Sequence, residues 1–336
     1  MPYTLLQGGR RRRRRRGGAA VAAILLLAIA ATLLLSARAG DPRQTAQRKP
    51  EAAPPAALLD TGTAPLAGGG TAPSPLAVRL EDPRDVVHVN FKRPPRSGLL
   101  FDVDTGRVLW RAHPERVLPI ASLTKMMTAL VVVDRVGPHA KVKITKEALA
   151  YTGSGVGVLP RGRRIDVETM LHGLLLPSGN DAAIALALRA AGSQARFVSL
   201  MNRRATQMGL VCSRFSTVSG IKDRGNHSCA PDLAAMARAV LREPRLARIV
   251  GRRSAVLRFP IKGHKLYLYN NNPLLRAGYR GTTGVKTGYT DAAGRCLVAT
   301  VRRGPIRLGV VLLDSPDPGR QAMRLLDRGF ARSTAQ

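Results

Sequence analysis

The sequence predicts an α+β domain whose sheet joins the two ends of the folded segment. Two observations support this prediction. Strand-like segments occur near the start and near the end of that segment, and apolar residues with helical spacing fill the region between them. Strands and helices that are segregated along a chain are typical of the α+β class. The chain has 336 residues, of which 45% are hydrophobic, which is enough for one large core or two small ones.

The first 39 residues predict export across a membrane. An unbroken basic run, Arg10–Arg16, precedes an uncharged apolar run, Ala19–Leu35. This order is expected to keep the arginines on the inner side of a membrane and to place everything downstream outside. The apolar run is short for a spanning helix, and Ala37-Arg38-Ala39 offers a cleavage site. A cleaved signal peptide and a retained anchor therefore both remain open.

Residues 40–85 predict a flexible linker, because they are rich in Pro, Ala, Gly and Thr and lack apolar periodicity. The folded domain is expected to occupy residues 86–336. Its first element is a β-hairpin, in which Leu99–Val103 and Val108–Trp110 flank the turn Asp104-Thr105-Gly106. A helical pattern then runs from Ser122 to Val136. Further helices are predicted at Val167–Leu176, Asp181–Ala191, Ala195–Met208, Pro231–Leu241 and Arg320–Phe330, and further strands at Ala255–Ile261, Lys265–Tyr269, Gly284–Thr290, Leu297–Arg302 and Ile306–Leu313.

The formal net charge of +33 suits a polyanionic partner, so nucleic acid is the first alternative to consider. Aromatic residues make up only 4% of the chain, which leaves few rings to stack on bases. The basic residues of the folded domain are spread rather than clustered. We therefore predict no nucleic-acid partner and a basic surface that lies near anionic wall polymers or lipid.

The cysteines do not indicate a metal site. Cys212, Cys229 and Cys296 show no C-x-x-C spacing and no paired histidines, so neither zinc nor any other metal or cofactor is expected. In an exported domain, Cys212 and Cys229 flank one irregular segment, and this predicts a disulfide between them. Three buried thiols are the alternative. With the disulfide formed, Cys296 is expected to be a buried free thiol in a strand.

Three short motifs carry the chemistry: Ser122-Leu-Thr-Lys125, Ser178-Gly-Asn180 and Lys286-Thr-Gly288. Residues i and i+3 share a helix face, so the Ser122 hydroxyl is expected within reach of the Lys125 amine. A lysine can activate a serine only if burial or a nearby cation lowers its pKa, and Lys286 would supply such a cation.

Each motif also has a purely structural interpretation. Ser122 can cap a helix, with Lys125 solvated, and the Ser-Gly-Asn motif can cap the helix that follows it. The Lys-Thr-Gly motif can belong to an exposed edge strand that its lysine protects from pairing. Only the order and the context of the three motifs favour a catalytic site.

Taken together, the motifs resemble those of the low-molecular-mass penicillin-binding proteins of the D-alanyl-D-alanine carboxypeptidase family. The resemblance runs from about Ser97 to Phe330. It includes the longer stretches Leu118–Thr128, Leu175–Ala182, Phe197–Asn202 and Gly284–Thr290. It implies a β-lactamase/transpeptidase-like fold, with an antiparallel sheet flanked by helices.

The resemblance also implies roles for the first two motifs. Ser122 would be the acylated nucleophile and Lys125 the base of acylation. Ser178 would relay a proton to the leaving D-alanine, and Asn180 would hold the substrate peptide.

The third motif would bind the end of the substrate. Lys286 and Thr287, with Gly288, would receive its terminal carboxylate. The backbone amides of Ser122 and Tyr289 would form the oxyanion hole. Arg320 matches a family arginine near the carboxylate.

The implied activity is serine-type removal of the terminal D-alanine from peptidoglycan stem peptides. Peptidoglycan stem peptides would be the substrates, and β-lactam antibiotics would be covalent inhibitors. Many family members carry a second, all-β domain and a C-terminal anchor, whereas this chain ends at Gln336 directly after its last predicted helix. Attachment is therefore expected only through the N-terminal segment, in a protein that is anchored in the cell membrane or secreted to the wall.

Three other functions compete with this interpretation. A D,D-endopeptidase of wall cross-links would carry the same residues. A class A β-lactamase needs a glutamate that activates the deacylating water, and Glu243 is the only glutamate between Asn180 and Lys286. A scaffolding pseudoenzyme would be expected to lose a motif residue, and all motif residues are present.

Overall fold

A five-stranded antiparallel sheet with strand order β2-β1-β11-β10-β9 organises the domain. The structure is a computed structural model, and it describes residues 74–81 and 85–333. The strands are β1 Ser97–Asp102, β2 Val108–Ala112, β3 Leu118–Pro119, β4 Lys141–Lys143, β5 Arg164–Asp166, β6 His227–Ser228, β7 Ser254–Arg258, β8 Lys265–Tyr269, β9 Thr282–Thr290, β10 Gly294–Arg303 and β11 Ile306–Leu313. The helices are α1 Lys125–Arg135, α2 Lys146–Leu149, α3 Val167–Leu175, α4 Asn180–Ala191, α5 Gln194–Gln207, α6 Ala230–Arg242, α7 Pro244–Val250, α8 Pro273–Arg276 and α9 Pro318–Ser333.

The predicted joining of the two chain ends in one sheet is confirmed. Strand β1 pairs antiparallel with β11, so that Leu99 faces Val311 across the ladder. Strand β9, which carries the third motif, is the last strand on the other side and pairs only with β10. Small antiparallel pairs, β3-β6, β4-β5 and β7-β8, lie outside this sheet.

The sheet separates two apolar cores. Side chains of a strand alternate between its faces. Leu99 therefore lies in the core shared with α1, α3, α4 and α6, whereas Leu100 lies in the core that contains Leu325 and Leu326 of α9. A sheet with helices on both faces is the predicted architecture.

The described chain contacts the domain earlier than the expected start at Val86. The guanidinium of Arg238 donates to the carbonyl oxygens of Leu76 and Ala77, each at 2.7 Å, and Val78 is buried. Asp85 lies 2.7 Å from Arg111 in a half-buried ion pair. Ordered contacts therefore include residues that were predicted to be linker, because their carbonyls satisfy a buried arginine.

The N-terminal division at residues 39 and 40 stays a prediction, because residues 1–73 lie outside the described part of the chain. Within residues 74–81 and 85–333, no helix is both long enough and apolar enough to cross a membrane.

Two element boundaries differ from the sequence prediction. The helix expected from Ser122 begins as a 3-10 turn, Ala121–Thr124, and becomes α-helical only at Lys125. The strand expected to reach Ile261 ends at Arg258, and a tight turn follows in which the Phe259 amide donates to the His264 carbonyl at 3.0 Å. In both places, backbone hydrogen bonds that span several residues override local propensity.

Candidate active site

The three motifs, which are far apart in the sequence, meet around Ser122. Ser122 lies in the 3-10 turn between buried Ala121 and buried Leu123, and its own side chain is half-buried. Ala121 has a positive φ of 46°, an uncommon conformation for a residue with a β-carbon. The serine is therefore held on a tight, partly buried turn that still leaves its hydroxyl accessible.

Lys125 links the first two motifs. Its Nζ atom donates hydrogen bonds to Ser122 Oγ at 2.8 Å, to Asn180 Oδ1 at 2.7 Å and to the Ser219 carbonyl at 2.8 Å. The side chain is fully buried. All three hydrogens of a protonated amine thus have acceptors, and one of these acceptors is the expected nucleophile.

The surroundings of Lys125 favour its neutral form. Burial lowers its pKa well below the ordinary value of 10.5, and the positive charge of Lys286 lowers it further. Asp181 acts in the opposite direction and raises the pKa. A neutral amine beside the Ser122 hydroxyl can accept its proton, which is the property that a base of acylation requires.

Ser178 and Asn180 lie between α3 and α4. Ser178 has a positive φ of 70°, and its buried hydroxyl has no hydrogen-bond partner within the described residues. Asn180 starts α4 and donates through Nδ2 to the Thr152 carbonyl at 2.6 Å while its oxygen accepts from Lys125. A buried hydroxyl without a partner costs free energy unless another group bonds to it, so Ser178 Oγ is open to a substrate.

The segment 151–157 is held beside this motif by a second acid. Asp181 is fully buried and accepts from the amides of Val156 at 2.9 Å and Gly157 at 3.0 Å. The sequence analysis did not single out Asp181. Its position directly after Ser-Gly-Asn, at the start of an apolar helix, was the available signal.

Lys286 and Thr287 lie in β9. Lys286 is buried, and its Nζ donates to the Thr287 carbonyl at 2.8 Å. Burial lowers the pKa of Lys286 to about 7. The Thr287 side chain is half-buried, so the strand presents one ammonium and one hydroxyl in the same short segment.

Gly288 permits close contact between β9 and the serine turn. A β-carbon at Gly288 would lie 2.9 Å from the Ile120 carbonyl oxygen and 3.2 Å from the Ser122 amide nitrogen. Any side chain here would push the strand away from the turn. Tyr289 follows with its ring 62% exposed. The strand therefore lies next to the amide of Ser122, as an oxyanion hole between Ser122 and Tyr289 requires.

Arg320 is the one predicted site residue that no described contact joins to the others. It lies near the start of α9, its side chain is 88% exposed, and its Nε atom is 3.6 Å from Asp317. Its predicted carboxylate contact is thus not formed in the structure.

The sequence analysis also missed the backbone of the segment between the two disulfide cysteines. Cys212 and Cys229 form the predicted disulfide, and Cys296 is a buried free thiol. Within this segment lies Ser219, whose carbonyl accepts from Lys125. Asp223 accepts from the hydroxyl of Thr290 at 2.7 Å. The disulfide-closed segment therefore contacts both the base and the strand of the third motif.

Glu243 lies elsewhere. It precedes α7, and its carboxylate accepts from the Arg245 amide at 3.1 Å. This is a helix-capping contact, so Glu243 shows no hydrogen bond to the motif residues. The arrangement supports attack by an activated serine without the second acid that a class A β-lactamase needs.

Comparisons with known proteins agree with this geometry. The family model for D-alanyl-D-alanine carboxypeptidase matches residues 92–317. The chain is 33% identical over 245 residues to D-alanyl-D-alanine carboxypeptidase DacF of Bacillus subtilis (strain 168), which covers 70% of this chain and 62% of the relative. It therefore spans about three fifths of the length of that curated relative.

Two further similarities are relevant. A D-alanyl-D-alanine endopeptidase of Pseudomonas aeruginosa is 34% identical over 224 residues, which is 65% of this chain and 71% of that protein. The crystal structure of the Streptomyces K15 DD-transpeptidase superposes with a TM-score of 0.68 at 29% identity, covering 73% of this chain and 100% of that one. The predicted fold, an antiparallel sheet flanked by helices as in the transpeptidases, is thereby confirmed.

Proposed function

The chain belongs to the D-alanyl-D-alanine carboxypeptidase family, and on this basis we propose that it is a serine peptidase that removes the terminal D-alanine from peptidoglycan stem peptides. The observation that carries the proposal is the hydrogen bond of 2.8 Å between the buried Lys125 amine and the Ser122 hydroxyl. It joins a nucleophile to a base whose pKa is lowered.

Acylation begins when neutral Lys125 takes the proton of Ser122 Oγ. The oxygen then attacks the carbonyl carbon between the two D-alanines, and the amides of Ser122 and Tyr289 stabilise the oxyanion. As the C–N bond breaks, Ser178 relays a proton to the departing amine. The leaving group is D-alanine, and an ester on Ser122 remains.

Deacylation restores the enzyme. A water molecule attacks the ester carbonyl and gives up a proton to the Lys125 amine, which returns it to Ser122 Oγ as the C–O bond breaks. The same pathway explains the proposed inhibition by β-lactams, in which the strained amide of the antibiotic acylates Ser122.

Binding of the substrate end is proposed for the third motif. The charged Lys286 and the Thr287 hydroxyl receive the C-terminal carboxylate, with Gly288 leaving room for the substrate backbone. Asn180 holds the peptide on the opposite side. Arg320, exposed at the start of α9, is free to swing toward a bound carboxylate.

The direct test is release of D-alanine. The full-length chain, with its N-terminal segment intact, is incubated with a diacylated tripeptide that ends in D-Ala-D-Ala, and free D-alanine is assayed. We expect release by the native protein and none above background by Ser122→Ala. Native protein that releases no D-alanine would contradict the proposal.

An endopeptidase is the second candidate, favoured by the similarity to the Pseudomonas protein. Its substrate would be a cross-linked peptide in which the scissile bond is not followed by a free α-carboxylate of a single D-alanine. Parallel digestion of purified cross-linked dimers separates the two activities, because the endopeptidase reaction yields two monomers.

We also propose that the catalytic domain lies outside the cytoplasmic membrane, tethered or released at its N-terminus. The supporting observation is the order of the arginine run and the apolar run in residues 10–35. Fractionation of cells that produce the full-length chain, together with mass determination of its N-terminus, distinguishes a retained anchor from cleavage after Ala39. Protein found only in the cytoplasm would overturn this localisation.

A further inference from the structure

A cleft of about 790 Å³ lies between two β-hairpins outside the main sheet. One wall is formed by the β4-β5 hairpin and the other by the turn that connects β7 to β8. The charged and titratable side chains that line it are Lys141, Arg163, Arg164, Asp166, Arg258, Lys262 and His264. None of them belongs to the three motifs.

The cleft carries a large excess of positive charge. Its one acid, Asp166, lies 2.5 Å from Lys141, so these two charges compensate each other. Arg163, Arg164 and Arg258 are exposed, and within residues 74–81 and 85–333 their side chains form no ion pair or hydrogen bond. A concave surface lined by one sign of charge concentrates the field, and guanidinium groups bind carboxylates through two parallel hydrogen bonds.

The first wall continues directly to the active site. Strand β5 is followed without a gap by α3, which ends at Leu175, three residues before Ser178. A helix of nine residues is about 14 Å long. The cleft and Ser178 thus lie at opposite ends of one short helix.

The second wall also leads to the Ser178 loop. Strand β8 has five residues, which corresponds to about 17 Å. Just beyond it, Asn271 donates from its backbone amide to the Leu176 carbonyl and from its side chain to the Pro177 carbonyl, each at 3.1 Å. Two of the exposed side chains along β8 are tyrosines, Tyr267 and Tyr269.

We propose that this cleft is a second binding site, which holds carboxylate groups of an acidic peptide substrate while the D-Ala-D-Ala end of that substrate lies at Ser122. The proposal rests on the proposed function and extends it to a substrate class. An extended peptide spans about 3.3–3.6 Å per residue, so a distance of about 14–17 Å corresponds to four or five residues. The bound carboxylates therefore belong to residues at that distance upstream of the scissile bond, beyond the reach of a short tripeptide.

The test compares two synthetic peptides that end in D-Ala-D-Ala. One carries two glutamates beginning four residues upstream of the scissile bond, and the other carries glutamines at the same positions. For the full-length native enzyme at low ionic strength, we expect a KM roughly fivefold lower for the glutamate peptide, with similar kcat values. In Arg164→Gln/Arg258→Gln the two KM values should become equal.

A matched variant controls for net charge. Arg328→Gln/Arg332→Gln removes the same two charges from exposed positions on α9, which packs on the other face of the main sheet. This variant should keep the preference for the glutamate peptide. Equal KM values in the native enzyme, or loss of the preference in both double variants, would overturn the cleft site.

A binding measurement separates this proposal from the proposed function. The fluorescence anisotropy of a labelled glutamate peptide is measured with Ser122→Ala, with and without the two cleft substitutions, so that no hydrolysis is needed. Binding that is weakened roughly fivefold by the cleft substitutions supports the site even if the native enzyme releases no D-alanine. Unchanged binding rejects the site even if D-alanine is released.

Discussion

Lys125 Nζ lies 2.8 Å from Ser122 Oγ, and the lysine is fully buried. Because this amine is the base that the geometry provides, Lys125→Met should slow acylation by penicillin by about 10²–10⁴-fold. The rate is measured with a fluorescent penicillin. Lys146→Met, at an exposed position of α2, is the matched control and should react at the native rate. An unchanged rate in Lys125→Met would assign the base to another group.

Ser122 is predicted to be the site of the covalent adduct. Its hydroxyl is half-buried on a tight turn, whereas Ser178 Oγ is buried without a partner. After incubation with penicillin, mass spectrometry of a digest should find the added mass on the peptide that contains Ser122. The adduct should be absent from Ser122→Ala and present, although formed more slowly, in Ser178→Ala. An adduct on any other peptide argues against this assignment.

Thr287 is predicted to contact the terminal carboxylate. Thr287→Val keeps the shape of the side chain and removes only the hydroxyl, so it isolates one charge-assisted hydrogen bond. We expect kcat/KM for a D-Ala-D-Ala peptide to fall by about 10–100-fold, since such bonds contribute about 1.5–3 kcal/mol. The same peptide with an amidated C-terminus should be much less affected. If the native enzyme cleaves both peptides equally well, the endopeptidase assignment replaces the carboxypeptidase one.

Lys286 is predicted to set the alkaline limb of the pH profile. Burial lowers its pKa to about 7, so its positive charge is present below that pH and is lost as the pH rises through it. For peptides with a free carboxylate, kcat/KM should therefore decrease above about pH 7, because this parameter reports groups of the free enzyme. Lys286→Arg should move the limb to higher pH, since arginine stays charged. A profile that Lys286→Arg leaves unmoved would rule out Lys286 as the titrating group.

The disulfide between Cys212 and Cys229 is predicted to stabilise the fold. It closes a loop with a sequence separation of 17, for which the chain-entropy model gives about 3 kcal/mol. Urea unfolding with and without a reductant should show this difference in the free energy of unfolding. Thiol counting in denatured, unreduced protein should find one free thiol, that of Cys296, and a count of three would mean that the bond is not formed in solution.

Local spacing explains why part of the site was predictable. Ser122 and Lys125 are three residues apart, so any helical turn brings them to one face, and no knowledge of the remaining chain is needed. The same holds for the pairing of β9 with β10, which adjacent strand patterns and a short turn indicate. The family resemblance then supplied the roles of Ser178, Asn180 and Lys286, which no local pattern assigns.

Other features depended on contacts that local spacing does not encode. The Ser219 carbonyl lies 94 positions from Lys125 in the sequence, and backbone acceptors carry no residue signature. Arg320 shows the converse case, because a matching residue type was present but its side chain points into solvent. The early contacts of residues 76–78 were missed for the same reason, since they are made by carbonyls to Arg238.

The sequence by itself determined which groups are available: a serine and a lysine one turn apart, a Ser-Gly-Asn loop, a Lys-Thr-Gly strand and an excess of arginine. Only the tertiary structure decided what these groups can do. Proton affinity depends on burial and on neighbouring charge, so Lys125 becomes a base only when the fold removes it from water and places Lys286 nearby. Likewise, arginines that are spread along the chain form a cleft only because two hairpins that are distant in sequence pack side by side.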